Sequence, residues 1–170
     1  MIPETWLRGP LSDVPSLLQP VAHALLQAHD EVNTLMANFP DECLWNRPAG
    51  LASVGFHLQH LVGVLNRLLT YSRSERLTSG QLTYLSAEEK AVDGLSSATL
   101  VAHFNEQVEQ ALAQIRATDE TTLTHFRGVG RAGLPSTVLG LLVHAAEHTM
   151  RHLGQLIVTV RVVSEHNTNG

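Results

Sequence analysis

Apolar residues recur at intervals of three and four along most of the chain, which is the period of an amphipathic α-helix. Patterns typical of β-strands are nearly absent. Four long segments with moderate connectors predict an all-α protein, an antiparallel four-helix bundle that forms a single domain over residues 1–170. The predicted helices cover about residues 14–38, 53–71, 97–118 and 136–163.

The connectors carry weaker signals. Pro20 lies inside the first segment, so that helix either begins just before the proline or is kinked by it. Ser86 and Glu89 match the capping-box pattern, which predicts a short helix over residues 86–92. The stretch 126–135 contains three glycines and ends in a proline, and it predicts a flexible loop that leads into the last helix.

Composition excludes several classes of protein. The chain has 170 residues, 44% of them hydrophobic, which suits one domain with one core. A net charge of −5 without a basic stripe argues against a nucleic-acid partner. No apolar run is long enough to span a membrane, and the first residues lack the pattern of a secretion signal, so we expect a cytoplasmic protein. The single cysteine, Cys43, has no partner for a disulfide or a thiolate metal site.

Three histidines recur every fourth residue in the last helix: His144, His148 and His152. Residues four apart lie on one helix face with Cβ atoms about 5–6 Å apart, which allows two imidazoles to bind one ion. The outer two are separated by a rise of roughly 12 Å, so a single ion cannot bind all three. The spacing does not decide between the two neighbouring pairs, although His148 and His152 share a stripe with Leu141 and Ala145.

A third ligand has to come from another helix, and the second segment offers His57 or His60. Three neutral imidazoles suit a borderline ion such as Zn²⁺ or Ni²⁺ better than Mg²⁺ or Ca²⁺. Three protein ligands also leave a coordination position open, as catalytic sites do. The competing interpretation is that these are hydrogen-bonded core histidines without a metal.

Two segments carry a resemblance to a known family. The run Glu147-His-Thr-Met-Arg-His-Leu-Gly-Gln-Leu156 resembles the last-helix motif of the DinB-like proteins, a helical His-x-x-x-His followed by Gly-Gln. The run Ser53-Val-Gly-Phe-His-Leu-Gln-His-Leu61 is similar to that family's second helix. The resemblance implies a DinB/YfiT-like four-helix bundle that holds a divalent ion, nickel or zinc. The ligands it implies are His60, His148 and His152, with His57 as the competing ligand and His144 as a residue beside the ligands or in the pocket.

The resemblance also implies a class of chemistry. The DinB-like superfamily includes bacillithiol S-transferases and mycothiol-dependent maleylpyruvate isomerases. We therefore expect a metal-dependent transferase that uses a low-molecular-weight thiol cosubstrate on a small-molecule substrate, with a hydrolase as a related option. The alternative is a non-catalytic bundle that binds metal or serves as a dimerisation module. An apolar outer face on the first or the last helix would favour a homodimer, since related bundles often pair.

Further residues are candidates for substrate contact. Asn66, Arg67 and Tyr71 follow His60 by one to three helical turns and could reach a substrate from the same side. Arg127 and Arg131 flank the glycines before the last helix and could attract an anionic group. For each of these residues a structural role is the competing interpretation.

Overall fold

The fold consists mainly of long helices. The computed structural model describes residues 3–92 and 94–168, with side chains up to residue 165. In this part of the chain five α-helices accompany one short β-hairpin. In chain order the elements are α1 (Gln19–Met36), α2 (Val54–Ser72), α3 (Ser79–Ala87), α4 (Ser97–Arg116), β1 (Phe126–Val129), β2 (Leu134–Thr137) and α5 (Val138–Thr168).

Local chemistry explains where the long helices begin. Pro20 occupies the first turn of α1, where its missing N–H costs no hydrogen bond, so the proline begins the helix and does not kink it. The Ser53 hydroxyl accepts a hydrogen bond from the Phe56 amide at 3.1 Å and caps α2, as predicted. The Ser96 hydroxyl does the same for α4 by accepting from Thr99.

The apolar stripes of the long helices meet in one cluster of buried side chains. α1 and α2 each contact both α4 and α5, and the contact between α2 and α5 is the most extensive. Burial of these apolar side chains away from water is the main stabilising contribution to such a fold. Its largest fully buried members include Phe104, Leu25, Leu58, Leu61, Leu65, Leu112, Ile115, Leu142 and Leu153.

The short helix after α2 lies earlier in the chain than predicted. The prediction placed it at residues 86–92, whereas α3 occupies Ser79–Ala87. The capping box is formed by Thr78 and Gln81: the Thr78 hydroxyl accepts from the Gln81 amide, and the Gln81 side chain accepts from the Thr78 amide. Ser86 instead bonds back to the Thr83 carbonyl within the helix.

The prediction of a flexible loop at residues 126–135 is wrong, because this stretch begins a β-hairpin. β1 and β2 pair antiparallel, with Val129 opposite Leu134. Gly130 and Gly133 adopt positive φ values of 69° and 62° in the connecting turn, a conformation that favours glycine. The last helix consequently begins at Val138, and its first turn is capped by the Thr137 hydroxyl, which accepts from the Gly140 amide at 3.0 Å.

α5 is the longest helix, with 31 residues and a length of about 46 Å. Its inner face is apolar, and its other face carries charged side chains such as Glu147 and Arg151. Within residues 3–92 and 94–168, neither α5 nor any other helix is long and apolar enough to cross a membrane.

Candidate metal centre

Three of the predicted histidines lie together where α2 packs against α5. His60 comes from α2, and His148 and His152 come from α5. Each of the three offers a ring nitrogen within 4.8 Å of a ring nitrogen of the other two. Residues 61–65 of α2 pack into the core and turn His60 towards α5, so helix packing brings together residues that are 88 positions apart.

The rings of this cluster converge on a common point. The ring centre of His60 lies 4.3 Å from that of His152, and those of His148 and His152 are 4.6 Å apart. The Nε2 atoms of His60 and His148 are separated by 3.1 Å. Two nitrogens bound to one ion at about 2.05 Å and a tetrahedral angle lie about 3.3 Å apart, so the observed spacing suits a shared cation.

A buried carboxylate orients His60. Glu88, which directly follows α3, is only 3% exposed, and its Oε2 lies 2.7 Å from His60 Nδ1. The other oxygen, Oε1, accepts from Arg67 Nη1 at 2.5 Å. A neutral His60 that donates its Nδ1 proton to Glu88 keeps the Nε2 lone pair free towards His148. A carboxylate behind a histidine is the arrangement that commonly fixes the tautomer of a metal ligand.

The backbone of α2 makes room for this carboxylate at Gly63. A Cβ atom at Gly63 would overlap with Glu88 Oε1 and would lie only 2.6 Å from Arg67 Nη1 and 2.9 Å from a carbon of the Tyr84 ring. The segment is held in place by Gln59, whose side chain donates to the Glu88 carbonyl at 3.0 Å. A glycine in the middle of a helix is destabilising in itself, and here it allows the close approach of Glu88.

His57, the competing α2 ligand, lies outside this three-residue cluster. It is 4% exposed, and its Nδ1 is 3.4 Å from His152 Nδ1, so one ring donates and the other accepts. Burial, with a smaller effect from His60, lowers the pKa of His57 to about 4. His57 is therefore neutral near pH 7, and it contacts the Nδ1 side of the His152 ring.

His144 is exposed and belongs to a second, overlapping grouping. Its Nδ1 lies 3.1 Å from Glu147 Oε2, and ligand atoms of His144, Glu147 and His148 also fall within 4.8 Å of one another. Glu147 forms an ion pair with Arg151 one turn further on. This grouping differs from the inner cluster because two of its members are exposed and its carboxylate is already paired.

The electrostatic surroundings keep the α5 histidines neutral. Burial is the largest cause that lowers the pKa of His148, and the neighbouring His60 adds to it. Burial also lowers the pKa of His152 to about 4, again with a contribution from His60. The neutral imidazole is the form that binds a metal ion.

The residues present fit a transition-metal ion. His148 Nδ1 is buried and has no hydrogen-bond partner within the described residues. Because the two nitrogens of an imidazole point apart, this Nδ1 does not face the point shared by the Nε2 atoms of His60 and His148, and the fit to an ion rests on the donor set and its spacing. Three imidazoles, one of them backed by a carboxylate, are a donor set that suits Zn²⁺ or Ni²⁺.

A groove of about 530 Å³ runs beside the cluster. It is lined by His57 of α2 and by Gly154 and Gln155 of α5, and Leu51 and Val158 lie at its edges. These two apolar side chains are 68% and 62% exposed. The volume is within the range of small-molecule sites.

The other predicted contact residues are divided between several places. Asn66 and Arg67 line a separate cavity beside α3, whereas Tyr71 is half-buried against the core. Arg127 donates its Nε–H to the Ser72 carbonyl at 2.7 Å and so ties the hairpin to the end of α2. Arg131 is exposed in the hairpin turn.

Cys43 is 1% exposed, and burial raises the pKa of its thiol. It therefore behaves as a small core residue.

Sequence reasoning did not find Glu88. The carboxylate lies in a connector outside both histidine motifs, 28 residues after His60. Gly63 gave the only available signal, since an isolated glycine inside a strong helical pattern often marks a close approach of another group.

Comparisons with known proteins agree with this architecture. The family model of the DinB superfamily matches residues 24–156, a range that contains the histidine cluster and Glu88. A comparison with curated proteins gave no match.

Solved structures similar to this chain come from several bacteria. A conserved protein from Enterococcus faecalis is 18% identical with a TM-score of 0.71, covering 87% of this chain and 97% of that one. A protein from Streptococcus pneumoniae is 16% identical with a TM-score of 0.62, covering 85% and 88%. A DinB-like protein from Bacillus cereus is 17% identical with a TM-score of 0.59, covering 82% and 91%. At these identities the likeness concerns the fold.

Proposed function

This chain belongs to the DinB superfamily, and on that basis we propose that it binds one divalent transition-metal ion through His60, His148 and His152. The observation that carries the proposal is the convergence of these three half-buried rings, with nitrogens within 4.8 Å of one another, in front of the buried Glu88 carboxylate. As part of this proposal, α1, α2, α4 and α5 form the antiparallel four-helix bundle expected from the sequence.

The protein's own residues prepare the site for an ion. Glu88 holds the Nδ1 proton of His60, so that Nε2 is the atom presented to the cation. His57 contacts His152 from the side of the groove and keeps the ring in position. A bound Zn²⁺ or Ni²⁺ supplies a Lewis acid that lowers the pKa of a water molecule or a thiol at its open position.

The enzymatic part of the proposal is a thiol-dependent transferase that acts on a small molecule. The proposed substrate site is the groove lined by His57, which contacts His152 of the histidine cluster, and its apolar edges at Leu51 and Val158 suit an apolar substrate body. Arg151 also lines the groove and forms an ion pair with Glu147, which lies one turn before it. A hydrolase would use the same groove with water as the nucleophile.

A second candidate function is a non-catalytic metal-binding module that forms homodimers. The observation in its favour is the exposure of Leu51 and Val158, because a second copy of the chain could cover these side chains. Changing both residues to serine separates the candidates. The change dissociates a dimer in the binding module, as measured by light scattering, whereas in the enzyme it lowers transferase activity towards an apolar electrophile and leaves the mass unchanged.

Metal analysis of tag-free protein tests the central proposal. We expect about one divalent ion per chain, which is lost in His60→Ala and His148→Ala and retained in His57→Ala. His103→Ala is the matched control, because His103 is exposed on α4. The proposal fails if wild-type protein contains no ion and also rejects added Zn²⁺ and Ni²⁺.

A further inference from the structure

A second cavity lies between α2, α3 and α4, apart from the groove beside His57. Its volume is about 260 Å³, and much of its wall is apolar: Val62, the backbone of Gly63 and Gly80, and the Tyr84 ring. Typical pockets for drug-sized ligands run from roughly 300 to 1,000 Å³, so this cavity suits a smaller molecule.

The polar side chains of this cavity form a hydrogen-bonded chain whose direction is fixed. The Thr78 backbone N–H can only donate, so the atom it contacts at 2.8 Å is the carbonyl oxygen of the Gln81 side chain. The Gln81 amide group must then donate, and it does so to Asn66 Oδ1 at 2.5 Å. Asn66 Nδ2 donates in turn to Gln107 Oε1 at 3.0 Å.

This series of hydrogen bonds ends at a side-chain donor that is not used. Gln107 is only 6% exposed and lines the cavity, and its Nε2 has no partner among the residues that the structure describes. Arg67 also lines the cavity. Of its own three guanidinium nitrogens, only Nη1 has a hydrogen-bond partner among the described residues. The polar groups that remain unbonded at Gln107 and Arg67 are therefore all N–H donors, and Arg67 carries a positive charge.

We propose that this cavity binds a short monocarboxylate. Its oxygens accept hydrogen bonds from Gln107 Nε2 and from the Arg67 guanidinium, and its apolar body packs against Val62 and Tyr84. Hydrogen bonds between a guanidinium and a carboxylate are stronger than those between neutral groups, which favours the acid over an uncharged carbonyl compound. The binding goes beyond the proposed metal function.

The cavity is one side chain away from the candidate metal centre. Arg67 and His60 contact different oxygens of Glu88, so a ligand that engages Arg67 acts on the carboxylate that orients His60. If the bound monocarboxylate changes the affinity for the ion, the ion changes the affinity for the monocarboxylate by the same factor.

Titration of the full chain with sodium butyrate, followed by calorimetry and by NMR of the side-chain amides, tests the proposal. We expect saturable binding to EDTA-treated protein at millimolar concentrations, with the Gln107 amide signals shifting at saturation. Butanamide is expected to bind at least threefold more weakly, while butylamine and inorganic phosphate do not bind saturably. Since the protein is metal-free, the result does not depend on the proposed metal site.

Two glycines provide a matched pair of variants. A Cβ at Gly80 would make only one ordinary contact, at 3.7 Å to the Thr78 hydroxyl, and a Cβ at Gly154 would meet nothing within 4 Å. Gly80→Leu fills the cavity beside α3, whereas Gly154→Leu protrudes into the other groove. We expect Gly80→Leu to lower butyrate affinity at least tenfold and Gly154→Leu to leave it unchanged.

Gln107→Glu separates donor chemistry from cavity shape. The glutamate still accepts from Asn66 but presents an acceptor with a negative charge where the donor was, so butyrate affinity should again fall at least tenfold while the circular dichroism spectrum is preserved. The proposal is overturned if butyrate shows no saturable binding, if Gly80→Leu binds it as well as wild type, or if Gln107→Glu leaves the affinity unchanged.

Discussion

Glu88 Oε2 lies 2.7 Å from His60 Nδ1, and this contact links the connector after α3 to the histidine cluster between α2 and α5. The carboxylate is nearly fully buried and is balanced by Arg67. Removing a buried anion from such a pair leaves the cation without a partner, so the three residues act as a unit. The orientation of His60 therefore depends on a residue outside either histidine motif.

Glu88→Gln is expected to weaken zinc binding by about 10–100-fold. The amide oxygen can still accept from His60 Nδ1, but the negative charge that increases the basicity of the ring is lost. A competition titration with a fluorescent zinc chelator measures the change. Glu89→Gln is the control, since Glu89 is exposed and carries the same charge next in the chain. Equal losses in both variants would contradict the orienting role of Glu88.

Gly63→Ala is expected to destabilise the protein by about 1–3 kcal/mol and to weaken zinc binding as well. The added Cβ would displace the Glu88 carboxylate and the Arg67 guanidinium, which lie against the α2 backbone at this point. Urea unfolding measures the stability, and the chelator titration measures the affinity.

The matched control for that change is Gly154→Ala in α5. Its Cβ meets nothing within 4 Å, so the higher helix propensity of alanine should stabilise the protein by up to about 1 kcal/mol. If both variants changed stability in the same direction, the close approach at Gly63 would not explain why that residue is a glycine.

The long helices were predictable because their apolar periodicity persists over several turns. The beginning of α2 after Ser53 followed from the capping chemistry of serine alone. The position of α3 did not follow, since the pairs at residues 78 and 81 and at residues 86 and 89 both match the capping-box pattern. The hairpin was missed because each strand has four residues and pairs only with the other, which is too short for a clear alternation.

The part of the histidine cluster that lies on one helix was predictable from the sequence, whereas the contributions of other elements were not. Spacing alone brings His148 and His152 to one face of α5. The spacing within α2 left His57 and His60 as alternatives, because the rotation of α2 against α5 decides which ring enters the cluster, and that rotation depends on core packing. Glu88 could not be predicted from spacing at all, since its approach depends on a connector and on the absence of a side chain at Gly63.

Metal-free protein is expected to lose stability as the pH falls from about 6.5 towards 4. Burial lowers the pKa of His57 and of His152 to about 4 in the folded state, so in this range the unfolded chain binds more protons than the folded one. The stabilising contribution is complete above the unfolded value and is lost as the pH decreases. Each histidine contributes a slope of at most about 1.4 kcal/mol per pH unit.

Urea unfolding of EDTA-treated protein at several pH values measures this dependence. His57→Gln should reduce the slope between pH 6 and pH 4.5, because the glutamine does not titrate. His103→Ala, at an exposed position, should leave the slope unchanged. A His57→Gln variant with the slope of the wild type would show that His57 is not held neutral by burial.

His148 is shared by two sets of ligand atoms, so its loss cannot tell them apart. The inner set adds His60 and His152, whereas the outer set adds His144 and Glu147, both of them exposed. An ion in the outer set would have to compete with Arg151 for the Glu147 carboxylate. We therefore expect His144→Ala and Glu147→Gln to change zinc affinity less than about threefold and His152→Ala to lower it more than about 100-fold, in chelator competition at pH 7.5. The reverse order of losses would move the ion to the outer set and leave His60 as a core histidine bonded to Glu88.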